Sequence, residues 1–327
     1  MLKKAESLLP FFGIAIFIAL IWLIGPWQIV SAALSANPAL LLLAACMIVP
    51  VSLIQAYKWY YLIKKQNKGS STGIEISFMQ ALRYYFIGMF YSAITPAKLG
   101  SFIRIRFLQK KSGKPLGTCS SSVVLDRMLD ILALFLLAFA GSLFFLNKFS
   151  GLIAASFSAL VTLVFFIWFF SSKERSRFLL SIIGRRLIPN KFGPNASEMF
   201  NSFYLSLPHR RDIAFSFFLS FASRLLTFTQ TFIVALALGL SFEYFYFLAA
   251  ISVVGIIALL PITINGLGTG EVAHIVLLSP FNALPAGIVV MSLLSGLFLT
   301  YLSAAIGAIF TFSEPEPVGK GHEEVGK

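Results

Sequence analysis

A run of apolar residues that begins at Tyr244 stops at Pro261, and the next stretch reads Pro261-Ile-Thr-Ile-Asn-Gly-Leu-Gly-Thr-Gly-Glu271 before apolar sequence resumes. Proline withdraws a backbone donor and glycine lowers helix propensity, so a helix entering this stretch breaks. The residues that carry the predicted break are Pro261, Asn265, Gly266, Gly268 and Gly270. Broken backbone at membrane depth is tolerated only where protein or water satisfies it. In transport proteins such breaks build substrate and ion sites.

The setting is membranous. The chain has 327 residues, of which 58% are hydrophobic and 12% charged, against about 25% charged in a soluble domain. Apolar segments run over Leu8–Val30, Ala39–Ile63, Phe78–Ile94, Val123–Leu146, Leu152–Ser171, Ile213–Gly239, Tyr244–Leu260 and Leu284–Thr311. A helical span takes roughly 20 residues. The predicted fold class is an all-α polytopic integral membrane protein of about eight hydrophobic helices. No polar stretch is long enough for a separate catalytic domain. Cys46 and Cys119 have no metal-like or redox spacing, and His209, His274 and His322 are scattered, so neither a metal nor a cofactor is expected. The net charge of +13 reads as positive-inside bias rather than nucleic-acid binding.

Lysine and arginine assign the sides. Lys64, Lys65 and Lys68 follow the second segment, Lys98, Arg104, Arg106, Lys110, Lys111 and Lys114 follow the third, and the polar loop 172–212 is basic throughout. This predicts a cytoplasmic amino terminus in a cell membrane. The first two clusters flank one apolar segment, Phe78–Ile94. That segment is therefore expected to enter, turn at Pro96 and Gly100, and return through Phe102–Lys110 as a re-entrant hairpin. Tyr244–Leu260, the break after Pro261 and Glu271–Leu278 read the same way. The halves 1–146 and 151–312 then match as inverted repeats of one domain, 1–312, followed by a polar tail over 313–327 expected to be disordered.

Charge inside apolar sequence marks candidate function. Asp126 and Asp130 are four residues apart and share a helix face, with Arg127 between them. They either open an interfacial helix or bind. Arg224 lies twelve residues into its segment, from where snorkelling is hard, and points to a buried partner or ligand. Arg83 either snorkels or binds. Glu271 either caps the returning helix or pairs with Arg224, Arg127 or Arg83, and His274 sits one turn on. Lys98, Arg104 and Arg106, after a Pro/Gly turn and at a helix start, attract phosphate or hold the loop inside. Tyr57-Lys58-Trp59-Tyr60-Tyr61 reads as an interfacial aromatic belt.

Three elements carry a resemblance. Thr95-Pro-Ala-Lys-Leu-Gly-Ser-Phe-Ile-Arg104 resembles a Pro-x-x-x-Gly-Glu-x-x-Arg segment, Val123-Val-Leu-Asp-Arg-Met-Leu-Asp130 a Val-x-x-Glu-Arg-x-x-Asp element, and Pro261–Glu271 a Pro-x-x-x-Gly-Gly-Leu-Gly-x-x-Glu element. Together they resemble the lysylphosphatidylglycerol synthase/flippase transmembrane-domain family, which includes the membrane portion of the multiple-peptide-resistance factor. Two residues depart from the pattern: Ser101 stands where an acid is usual, and Asn265 where glycine is frequent. The resemblance implies a flippase-like domain, without the aminoacyl-transferase domain and without tRNA.

The function expected is movement of an anionic phospholipid or polyprenyl-phosphate-linked lipid between leaflets. Lys98, Arg104, Arg106, Arg127, Arg224 and Arg83 would hold the headgroup, and Asp126, Asp130, Glu271 and His274 would form ion pairs or carry a coupling proton. No GxxxxGK[ST] motif is present to bind ATP. The alternatives are a membrane partner of a glycosyltransferase or lipid-modifying enzyme, docked through the basic loop, and an enzyme acting on lipid phosphate.

Overall fold

The computed structural model describes residues 2–66, 74–143, 157–158, 160–165, 167–168, 172–175, 193–259, 263, 266–281 and 283–313. Among these residues the regular structure is helical throughout. The elements in order are α1 (Leu2–Ile24), α2 (Pro26–Leu34), α3 (Pro38–Cys46), α4 (Ile48–Lys64), α5 (Phe78–Ala93), a 3-10 turn (Pro96–Ile103), α6 (Arg104–Ser112) and α7 (Leu116–Ser142). There follow α8 (Gly193–Leu205), α9 (Arg210–Ala237), α10 (Tyr244–Ile257), α11 (Thr269–Leu278), α12 (Pro285–Gly296) and α13 (Leu302–Ser313).

Local chemistry starts these helices. Asn37 accepts from the amides of Ala39 and Leu40 at the head of α3, and Glu243 caps α10 through Phe245 and Tyr246. Ser77 and Gln80 form a reciprocal capping box on α5. Three continuous helices have the length and composition to cross a bilayer: Pro38–Lys64, Arg210–Ala237 and Pro285–Ser313. The first joins α3 to α4, and the last joins α12 to α13 through a π-helical turn at Leu297–Tyr301.

The apolar run Leu8–Val30, expected as one span, is not straight. Gly25 and Pro26 bend it by 82°. The segment expected to begin at Val123 begins at Leu116: Gly117 to Ser122 are already helical, with Gly117, Cys119, Ser121 and Ser122 buried. The expected loop 172–212 includes α8, which packs on α7 with the Met199 carbonyl against Gly117. Most of Leu152–Ser171, the rest of that loop, and the tail beyond Ser313 lie outside the described residues.

Two helices are short. α5 has 16 residues, about 24 Å against a hydrocarbon core of about 30 Å, and the chain then folds back so that the 3-10 turn packs along it. Gly100 permits this contact, since a Cβ there would stand 2.1 Å from the Tyr91 carbonyl oxygen. In the second half α10 has 14 residues and α11 has 10, and the two pack together. One apolar core gathers α7, α9, α10, α11 and α12 around Phe247, Leu278 and Met291; another gathers α4 to α7 around Trp59, Ile87, Phe107 and Val123. Trp22, Leu34, Leu42, Phe218, Ile309 and Phe312 face outward, as lipid-contacting side chains must.

Candidate functional site: a buried ion network beside unpaired cations

Asp126 and Asp130 lie ten and fourteen residues after Leu116, and each is at most 5% exposed. They do not open an interfacial helix; they sit well inside α7. The i, i+4 spacing puts both on one face, where α4 supplies a lysine. Lys58, with no solvent exposure, places its ammonium 2.9 Å from Asp126 Oδ1 and donates to Asp130 Oδ1 and to Ser220 Oγ of α9. Arg104, the first residue of α6, closes the network. Its guanidinium donates to Asp126 Oδ2 at 2.8 Å and to the Ser101 carbonyl at 3.2 Å, and stands 4.7 Å from the Trp59 ring centroid.

Two cations therefore meet two carboxylates, and this core is balanced. A buried charge left alone would cost far more than a pair. Around the core stand three more cations. Arg127 donates from Nε to Ser101 Oγ at 2.9 Å. Ser101 is fully buried, and its hydroxyl donates in turn to the Lys98 carbonyl. Lys98 has φ 57°, a left-handed conformation that costs a non-glycine residue about 1–2 kcal/mol. Strained backbone of this kind concentrates at functional sites. Arg224, fourteen residues after Arg210 on α9, has a buried Nε with no hydrogen-bond partner. The charges of Lys98, Arg127, Arg224 and Asp130 lie close enough to act on one another. Tyr85 of α5 shares this field with Arg127, Arg104 and both carboxylates.

Among the described residues the ion pairs here are Lys58–Asp126, Lys58–Asp130 and Arg104–Asp126. Lys98, Arg127 and Arg224 belong to none of them. Five cations and two carboxylates leave a formal excess of 5 − 2 = +3. The face of α9 toward this region carries further unsatisfied polar atoms: Ser216 Oγ, Ser223 Oγ and Gln230 Nε2 recur every seven residues, two helical turns apart, and are fully buried. Such a face accommodates water or a polar ligand.

The other predicted residues lie elsewhere. Arg106 is exposed on α6, and Arg83 is exposed with its guanidinium 5.8 Å from the Phe310 ring centroid. Glu271 pairs with none of Arg224, Arg127 or Arg83. It sits in the first turn of α11, where Oε2 accepts from the Gly268 amide at 2.7 Å and Oε1 from Ser292 Oγ at 3.1 Å. His274 Nδ1 is engaged by the Gly270 carbonyl of its own helix. Gly266 and Gly268 hold φ of 79° and 81° and make the turn, whereas Gly270 is already helical. Pro261 and Asn265 lie outside the described residues. This second break packs against α1, with Leu267 O close to Gly13.

Sequence reasoning missed Lys58 and Trp59. Read as part of an aromatic belt, they are instead the fully buried centre of the site. The available signal was arithmetic: two carboxylates on one helix face need cations from elsewhere, and Lys58 is the lone basic residue of Ala39–Ile63. Among the described residues no three His, Cys, Asp or Glu side chains gather as metal ligands.

The model of the lysylphosphatidylglycerol synthase transmembrane region matches residues 11–307. Two archaeal relatives, each named a UPF0104 membrane protein, align end to end. That of Pyrococcus horikoshii is 24% identical over 93% of this chain and 96% of its own, and that of Methanocaldococcus jannaschii is 24% identical over 93% of each. The match takes in the buried lysine, both carboxylates, the 3-10 turn and Arg224, and the chain belongs to the lysylphosphatidylglycerol synthase transmembrane-region family.

Proposed function

We propose that this protein moves a lipid with an anionic headgroup between leaflets. The observation that carries the reading is the trio Lys98, Arg127 and Arg224, set among membrane helices with no carboxylate paired to them among the described residues. A cation trio in a low-dielectric setting attracts an anion strongly. The headgroup would enter beside the 3-10 turn, with its acyl chains left against the outward apolar faces. Phosphate suits the donors present: two guanidinium forks and an ammonium.

In this reading α5 with the 3-10 turn and α6, and α10 with α11, act as re-entrant hairpins. They enter from opposite sides of the membrane as inverted repeats. The basic residues after α4 and α5 would face the cytoplasm, as would the amino terminus of a chain resident in the cell membrane. The balanced network holds the first hairpin against α4 and α7. Glu271 holds the second by capping α11. Transport would draw on an ion gradient, the membrane potential or the lipid gradient.

The test is reconstitution into proteoliposomes with a fluorescent phosphatidylglycerol and, in parallel, a fluorescent polyprenyl phosphate, read by leaflet-selective quenching. Transport above empty vesicles, abolished in Arg224→Gln, is expected. Equal rates in loaded and empty vesicles for both lipids would refute the proposal.

A further inference from the structure

The trio is unevenly held. Arg104 and Lys58 each meet a carboxylate, so their charges are already offset. Arg127 instead donates its Nε to a neutral hydroxyl, that of Ser101, at 2.9 Å. Ser101 is fully buried, and its backbone also serves Arg104 through its carbonyl. Its side chain thus holds Arg127 through a neutral group, at a position where a carboxylate would offset the guanidinium's charge. Because a hydroxyl stands there, the guanidinium's charge is not offset by its partner, and Lys98 and Arg224 add two more cations nearby.

Three excess cations are more than a phosphodiester needs. A headgroup with one negative charge leaves two of these cations unbalanced at low dielectric, where like charges repel strongly. A phosphomonoester or diphosphate brings two charges and more acceptor oxygens, enough to engage both guanidinium forks and the lysine together. We propose that the site selects a headgroup bearing two negative charges, a phosphomonoester or a diphosphate, and that Ser101 sets this preference by holding Arg127 with a neutral hydroxyl. The inference rests on the anionic-headgroup reading above and narrows it.

The experiment uses the purified full-length protein in zwitterionic detergent at pH 8, with intrinsic tryptophan fluorescence as readout, since Trp59 lies against Arg104. Four probes are titrated: dihexanoyl phosphatidic acid, dihexanoyl phosphatidylglycerol, dihexanoyl phosphatidylcholine and inorganic diphosphate. The expected order is phosphatidic acid over phosphatidylglycerol by at least about tenfold, with phosphatidylcholine weakest. Ser101→Asp should cut that ratio by about tenfold, whereas Ser101→Ala, which removes the bond but adds no charge, should leave it within about twofold. Should Ser101→Asp fail to fold, Arg224→Gln subtracts a cation from the other side of the site and should lower the same ratio. Lys64→Ala, an exposed cation outside the site, is the control.

Equal binding of phosphatidic acid and phosphatidylglycerol, unmoved by Ser101→Asp or Arg224→Gln, overturns the two-charge class while leaving an anion site in place. Equal binding of all three lipids overturns the anionic-headgroup reading itself. Diphosphate binding as tightly as phosphatidic acid supports the two-charge class and assigns its source to a soluble anion.

Discussion

Removing Asp126 should destabilise the protein more than removing its partner Arg104. Among the described residues Asp126 is the sole carboxylate on Arg104, at 2.8 Å, and Arg104 is 2% exposed. Lys58, by contrast, keeps Asp130 when Asp126 is lost. Asp126→Leu therefore strands one buried guanidinium, with only the Ser101 carbonyl and the Trp59 face to stabilise it. Breaking a buried pair in this way costs about 3–5 kcal/mol. Arg104→Met should cost less, because Asp126 retains Lys58 at 2.9 Å. The double variant Arg104→Met/Asp126→Leu should be more stable than Asp126→Leu alone, since it leaves no stranded arginine. The cycle is read by reversible unfolding in mixed micelles, followed by tryptophan fluorescence. Neutral hydrogen bonds between membrane helices couple by about 0.6 kcal/mol and at most about 1.7. A coupling energy above about 2 kcal/mol is thus the signature of a charge pair. Additive variants, within about 0.5 kcal/mol, would refute the network as drawn. Lys65→Met supplies the comparison. Its contact to Asp212 is 3.9 Å with the lysine side chain 48% exposed, and its loss should cost no more than about 1 kcal/mol.

Two further outcomes follow from single groups. Gln230 is fully buried with Nε2 unpartnered, so Gln230→Leu should raise thermal stability by about 1 kcal/mol; a lower Tm would mean that a bound water satisfies the amide. Glu271 has both oxygens occupied by Gly268 and Ser292, so Glu271→Ala should cost about 1–2 kcal/mol while Glu271→Gln keeps its fold and transports; a folded Glu271→Gln without lipid movement in the proteoliposome assay would give the carboxylate a role in coupling.

The local parts of this architecture were legible. Apolar length marked the segments, Gly266 and Gly268 marked the second turn, and the four-residue spacing of Asp126 and Asp130 put two carboxylates on one face. Three things were hidden, each for its own physical reason. The bend at Gly25 does not interrupt apolar sequence, so hydropathy runs through it unbroken. Lys58 pairs with residues 68 and 72 positions away, and no periodicity within α4 records such a partner. The tyrosines and tryptophan around it mimic an interfacial belt because the same amphipathic rings suit both a membrane surface and the wall of a buried charge site. Arg104 and Arg106 looked alike in sequence, yet a two-residue step, about 200° around the helix, separates a buried ion pair from an exposed cation. The Glu271 carboxylate could cap or pair, and the proximity of its own helix start decided for the cap.

The network also limits where the molecule can move. Arg104 belongs to the end of the first hairpin, Asp126 and Asp130 to α7, Lys58 to α4, and Ser220 to α9. A motion that parts the hairpin from α7 must break the Arg104–Asp126 pair, at about 3–5 kcal/mol, which leaves such a state below about one molecule in a hundred unless a ligand offsets it. The second break has no comparable tie among the described residues. It rests on α1 through backbone and threonine contacts, and on α10 and α12 through apolar packing and one hydroxyl, Ser292. If lipid passes by rocking one hairpin, the second is the one free to move, with the first as the fixed cation-bearing wall. Spin-label pairs separate the cases in reconstituted protein: a distance between Lys64→Cys and Lys111→Cys should hold constant when phosphatidic acid is added, while a distance between Trp22→Cys and Val276→Cys should broaden or shift. Movement of the first pair with the second unchanged would reverse the assignment.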